Sequence, residues 1–192
     1  SGDRITGALV FRLGGIRVDY TLTLAPDRTV SKFENAVRPV SVDPTSAPAQ
    51  SGSLEWRADS IIADVHPMGM LRLKSRAGSI PYANPSIVML ELIVQRSLAT
   101  SPPLDSVPVF AVAGGYTSTA TVRRVGTDSM VVNMGAAQFE LHLGAGGTIV
   151  SGAVPAQRVR FVRIDTLPDR LLAIAPQDYS PPPGAPYTAE TV

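Results

Sequence analysis

The sequence predicts a mainly β protein: a curved antiparallel sheet or partly open β-barrel with one buried helix over about residues 84–98. Three observations predict it. Apolar and polar residues alternate over Ile16–Leu24, the same alternation recurs as hairpins around turn-forming residues, and one stretch from Asn84 to Leu98 breaks to helical spacing. Successive residues of a strand face opposite ways, whereas residues three and four apart share a helix face.

In Ile16–Leu24, residues Ile16, Val18, Tyr20, Leu22 and Leu24 form the dry face, and Arg17, Asp19, Thr21 and Thr23 the wet one. Ala25-Pro26-Asp27-Arg28 supplies turn chemistry, because proline presets φ and aspartate bonds nearby backbone. The chain resumes at Thr29 to Val37, which completes a hairpin. Pro39 to Gly52, rich in Pro, Ser and Ala, reads as a long surface loop.

Leu54 to Arg57 and Ser60 to His66 then flank a turn at Ala58-Asp59. Asn84 and Pro85 suit an N-cap and a first helical position. Beyond them Ile87, Leu90, Val94 and Leu98 share a face that Met89, Leu92 and Ile93 widen, interrupted only by Glu91, Gln95 and Arg96. A helix apolar nearly all round is a buried one, expected to lie in the concave side of the sheet.

Further hairpins follow. Thr117 to Val125 and Ser129 to Met134 flank Gly126-Thr127-Asp128; Gln138 to Leu143 and Thr148 to Val154 flank Gly144-Ala145-Gly146-Gly147; Arg158 to Ile164 is a last strand. Short strands at regular spacing with turns between them indicate a sheet that curls or closes. One β domain is therefore expected over 1–166 and a Pro-rich connector over 167–192. Ser1-Gly2 reads as the scar of a trimmed expression product, so the natural start is expected upstream.

Composition excludes several chemistries. The 17 basic and 16 acidic residues leave a net charge of +1, which gives no electrostatic case for nucleic acid. The longest apolar stretch, Ile87 to Val94, is too short to span a membrane. The chain has no cysteine, so disulfides, thiolate catalysis and Cys-based metal sites are out. No Gly-x-Ser-x-Gly elbow occurs, and the run Gly144–Gly147 lacks the Lys-Ser/Thr ending of a phosphate loop. Asp64 and His66, two apart on one strand, share a face and are the one candidate acid–base pair; His142 is expected on a wet face. No metal and no cofactor is expected.

The methionines point another way. Met68 and Met70 bracket a glycine, Met89 lies in the helix, and Met130 and Met134 share a strand face. Methionine adapts to irregular apolar surfaces, ligand cavities included. Met70, Met89, Leu92, Met130 and Met134 are thus the expected lining of a helix–sheet cavity for a lipid or another apolar small molecule.

The stretch Tyr179-Ser180-Pro181-Pro182-Pro183-Gly184-Ala185-Pro186-Tyr187-Thr188-Ala189-Glu190 resembles a connector of exported bacterial α/β hydrolases, where it joins an N-terminal β domain to the catalytic domain. Val18 to Asp27, and the run from Val112 to Pro155, are similar in style to the β region of those proteins. The resemblance implies a parent that is an esterase, lipase-like or peptidase-like serine hydrolase of the bacterial cell envelope, periplasmic or extracellular. It carries over no catalytic residue, because nothing here matches that family's nucleophile elbow, acid or histidine. The general shape also looks like bacterial lipoprotein-carrier domains, which hold acyl chains. Four readings follow: a non-catalytic accessory domain whose partner is a C-terminal α/β-hydrolase domain; a free-standing carrier of lipids or hydrophobic molecules; an enzyme using Asp64 and His66; and a structural or protein-interaction module working through exposed sheet edges.

Overall fold

The computed structural model describes residues 3–11, 15–40, 42–43 and 45–166. The connector expected over 167–192, with the hydrolase-like stretch inside it, lies outside the described residues. Over the described residues the protein is mainly strand, with two sheets, one of them strongly curled into a half-barrel, and a single α-helix.

The first sheet is a meander of six antiparallel strands in sequence order: β1 (Arg4–Phe11), β2 (Ile16–Leu24), β3 (Val30–Pro39), β4 (Gln50–Trp56), β5 (Ser60–His66) and β6 (Gly69–Lys74). The expected first hairpin is β2–β3. In its turn Asp27 Oδ1 accepts from the Thr29 N–H at 3.1 Å and its hydroxyl at 2.7 Å, and Arg28 adopts a φ of 63°. The loop expected over Pro39 to Gly52 is shorter, because β3 runs on to Pro39 and β4 starts at Gln50. Ser51, Gly52 and Ser53 have poor strand propensity, yet β3 and β5 pair with them from both sides, and tertiary pairing outweighs propensity. Arg38 pins what remains of the loop: its Nε donates to the Ser46 carbonyl at 2.9 Å while its Nη1 meets Asp19 at 3.1 Å.

The second sheet has seven strands: β7 (Ile80–Tyr82), β8 (Ser106–Ala111), β9 (Tyr116–Arg124), β10 (Ser129–Met134), β11 (Ala137–Leu143), β12 (Ile149–Val154) and β13 (Val159–Val162). It is antiparallel except that β7 and β8 run parallel. Parallel neighbours need a crossover, and the crossover here is the helix α1 (Ile87–Leu98). Pro81 is tolerated because β7 is an edge strand, where a missing N–H breaks no ladder.

The helix starts later than Asn84-Pro85. Ser86 is its N-cap, accepting from the Met89 N–H at 3.3 Å, while Asn84 Oδ1 instead accepts from the Tyr82 hydroxyl at 3.2 Å. Every residue of α1 is buried or half-buried, as its all-round apolar sequence requires. At its end the buried Ser97 hydroxyl donates to the Leu104 carbonyl, and the Leu104 N–H returns to the Ser97 carbonyl at 2.9 Å.

The dry faces of both sheets and α1 share one hydrophobic core. Leu22, Phe33 and Ile61 from the first sheet, Leu90 and Ile93 from α1, and Phe110 and Val132 from the second lie in it. Two aromatic rings join the sheets: Trp56 of β4 packs edge-on against Phe110 of β8, centroids 6.0 Å apart, and Trp56 Nε1 donates to Ser79 Oγ at 2.9 Å. On the second sheet, Gly152 makes room for its cross-strand partner Phe161, whose ring a Cβ at 152 would strike.

Glu91 is the one carboxylate on α1, and the fold uses it. Its Oε2 accepts from the Ile149 backbone N–H at 2.7 Å and from Arg163 Nη2 at 2.8 Å, which clamps the helix to the start of β12. Glu91→Ala is expected to cost about 1–3 kcal/mol, because it strands a half-buried donor. Arg163→Ala, which removes only the exposed end of the ion pair, is expected to cost less than about 1 kcal/mol. Urea denaturation of both variants checks this; equal losses would mean that the Ile149 hydrogen bond contributes nothing.

Candidate apolar binding site

Burial along β2 falls from one end to the other. Leu24, Leu22 and Tyr20 are buried, Val18 is half-buried, and Ile16 is exposed. The reason is the placement of α1, which covers only part of the concave face. Near the β2–β3 turn, Val30, Ile80 and Leu92 of α1 leave a gap of only about 80 Å³. Away from the helix the same face remains uncovered.

A cavity of about 640 Å³ opens there. Its walls are Leu9 and Phe11 of β1, Val18 of β2, Phe33 and Val37 of β3, Leu54 of β4 and Val65 of β5, with Met68 beyond. Ala83 and Asn84 before α1, and Val112 and Ala113 after β8, form the opposite side. Five neighbouring strands face one volume, so the sheet is concave at this point. The cross-strand register puts Leu9, Val18 and Val37 in one row, with Val18 between its partners. Side chains that a closed core would cover here border open space, and the volume falls within the ordinary range for a small-molecule site.

Polar groups are few and uncharged: Asn35, Gln50, Ser51 and Asn84. Asn35 stands on the dry face of β3 between Phe33 and Val37, opposite Gly52. Among the described residues, the cavity has no cation, carboxylate or histidine in its lining.

The five residues expected to line a cavity are spread over the molecule. Met70 is 72% exposed on the edge strand β6. Met89 is fully buried in α1, where its sulfur accepts from the Ala83 N–H at 3.1 Å, and Leu92 borders the small gap. Met130 is buried in β10 and Met134 half-buried on the same strand. Of the methionines it is Met68 that lines the 640 Å³ cavity. The signal for this cavity in the sequence was Asn35, a lone amide on an apolar strand face.

Asp64 and His66 are both exposed on β5, and among the described residues no hydrogen bond or ion pair joins them. His142 is exposed on β11, its Nδ1 3.5 Å from Asp128. Among the described residues no cluster of three His, Asp or Glu side chains that could hold a metal ion occurs, and no helix is long and apolar enough to cross a membrane.

Two tyrosines near the cavity are perturbed. Burial pushes the Tyr82 phenol up to about 12 from its ordinary 10.0. Burial also raises Tyr20, partly offset by a hydrogen bond with Ser86. A raised phenol favours the folded state while it stays protonated. Its contribution is full below about pH 10 and is lost as pH rises towards 12. Stability is therefore expected to fall over that window, and less steeply in Tyr82→Phe. Denaturant midpoints measured across the alkaline range check it; identical slopes for wild type and variant would refute it.

No family model matches the chain, and no curated protein or solved structure matches it.

Proposed function

We propose that this β domain is a non-catalytic accessory module that binds an apolar ligand, such as an acyl chain, in the concave end of its first sheet. The observation that carries the reading is the 640 Å³ cavity bordered by aliphatic and aromatic side chains, among them the half-buried Leu9, Phe11, Val18, Val37 and Val65. Apolar side chains facing an open volume give up the burial that core packing would provide, roughly 25 cal/mol per Å², and a bound chain restores it. The connector-like stretch at Tyr179–Glu190 supports attachment to an exported serine hydrolase, with export to the bacterial periplasm or exterior as part of the same proposal. A free-standing carrier would use the same cavity; the connector resemblance favours the accessory role. The exposed, unjoined positions of Asp64 and His66 lend no support to catalysis by this chain.

Native mass spectrometry of the purified chain, with organic extraction of any bound species, is the direct test. Titration with the neutral dye N-phenylnaphthylamine provides an independent one. Val18→Glu puts a carboxylate on the cavity wall without touching the buried end of β2. It is expected to weaken dye binding at least about tenfold, since a desolvated charge costs more than the 1.4 kcal/mol that tenfold represents. Dye binding that is absent from wild type, or equal in wild type and a folded Val18→Glu, would overturn the proposal.

A further inference from the structure

The cavity wall carries chemistry that an apolar container does not need. Asn35 lies half-buried on the dry face of β3, flanked by Phe33 and Val37. Among the described residues its amide has no side-chain hydrogen-bond partner. Its cross-strand neighbour is Gly52, and a Cβ there would sit 3.0 Å from Asn35 Oδ1. Any larger residue at 52 would press on the amide, so glycine keeps it open. Two more uncharged amides, Gln50 and Asn84, stand on the lining, the second with its oxygen already engaged by Tyr82.

An amide offers one acceptor and two donors but no charge. A carboxylate or phosphate brought into this space would lose water and meet no cation among the described lining residues, and an unpaired buried charge is strongly disfavoured. A neutral ester or amide carbonyl loses much less, and it regains a hydrogen bond from the Asn35 NH₂. A plain hydrocarbon leaves that NH₂ unmatched.

Building on the apolar-ligand reading, we infer that the cavity selects uncharged acyl ligands, esters or amides of a long chain, over the free fatty acid, and that Asn35 is the residue that recognises the carbonyl. The occupant is thus a neutral acyl ester or amide rather than an ionised acid.

The test uses the full 192-residue chain and three probes of equal chain length: a methyl ester, the free acid at a pH where it is ionised, and the n-alkane. Each displaces N-phenylnaphthylamine. The ester is expected to bind at least about tenfold more tightly than the acid and several-fold more tightly than the alkane, as one net hydrogen bond predicts. Asn35→Leu is expected to bring the ester down to the level of the alkane while leaving alkane binding intact. Equal binding of all three probes, or a preference for the acid, would overturn the inference and leave the cavity reading standing. Failure of every probe, alkane included, would overturn both. The wild-type series decides the ligand class even if Asn35→Leu does not fold. An ester preference that survives in folded Asn35→Leu would overturn the role of that residue.

Discussion

Leu22→Asp is expected to unfold the protein. Leu22 is fully buried towards the C-terminal end of β2 and belongs to the core that both sheets and α1 share. The substitution removes apolar burial, about 2–5 kcal/mol for truncation of a core leucine. It also leaves a buried carboxylate without a partner, a penalty on the order of 3–5 kcal/mol. Together these approach the whole stability of an ordinary domain, about 5–15 kcal/mol. The neighbouring position is the control. Thr23 points to the other face, between Arg4 of β1 and Lys32 of β3. A carboxylate at 23 therefore meets two cations across the strands, so Thr23→Asp is expected to be neutral or slightly stabilising. Far-ultraviolet circular dichroism with urea denaturation separates the two variants. Similar midpoints would mean that the register of β2 is off by one residue.

Phe110→Ala is expected to cost about 3–5 kcal/mol, the range for a truncated buried phenylalanine. Phe110 is fully buried in β8 and touches Trp56 of β4, so it ties the second sheet to the first. At about 2–4 °C per kcal/mol for a chain of this size, the melting temperature should fall by about 6–20 °C. Trp56 is the only tryptophan, so its fluorescence reports the same contact, and its emission should shift to the red in the variant. Tyr116→Ala, at an exposed residue of β9, should leave both readings unchanged. A loss below about 1 kcal/mol in Phe110→Ala would show that the sheets do not rely on this packing.

The hairpins were legible because their information is local. Strict alternation in Ile16–Leu24, and aspartate or glycine in the turns, name both the strand and its dry face. The helix was legible from its apolar spacing, though its cap was not. Asn84 and Ser86 both suit an N-cap; Ser86 is the one that caps, while Asn84 accepts from Tyr82 instead. Strands β1, β7 and β8 were not legible. Gly7 interrupts the alternation in β1, where a Cβ would collide with the hydroxyl of Tyr20. Pro81 and Pro108 sit inside β7 and β8, and β7 has only three residues.

The cavity was legible only in part. Alternation marks Val18, Val37 and Val65 as dry-face positions, in the same way as it marks Leu22 and Phe33. Apart from the lone amide of Asn35, nothing in the local pattern separates a residue that packs against α1 from one that borders an empty volume.

By itself, then, the sequence determined which residues turn inward, where the turns fall, that one helix is buried, and that thiol chemistry is absent. Only the tertiary structure decided that the strands divide into two sheets, that β7 and β8 run parallel, and that α1 fills one end of the concave face and leaves the other open. The physical reason is range. Alternation, turn chemistry and helical spacing act over a few residues, whereas the positions of α1 and of the two sheets depend on contacts such as Glu91 with Ile149 and Trp56 with Phe110, made between residues more than fifty positions apart.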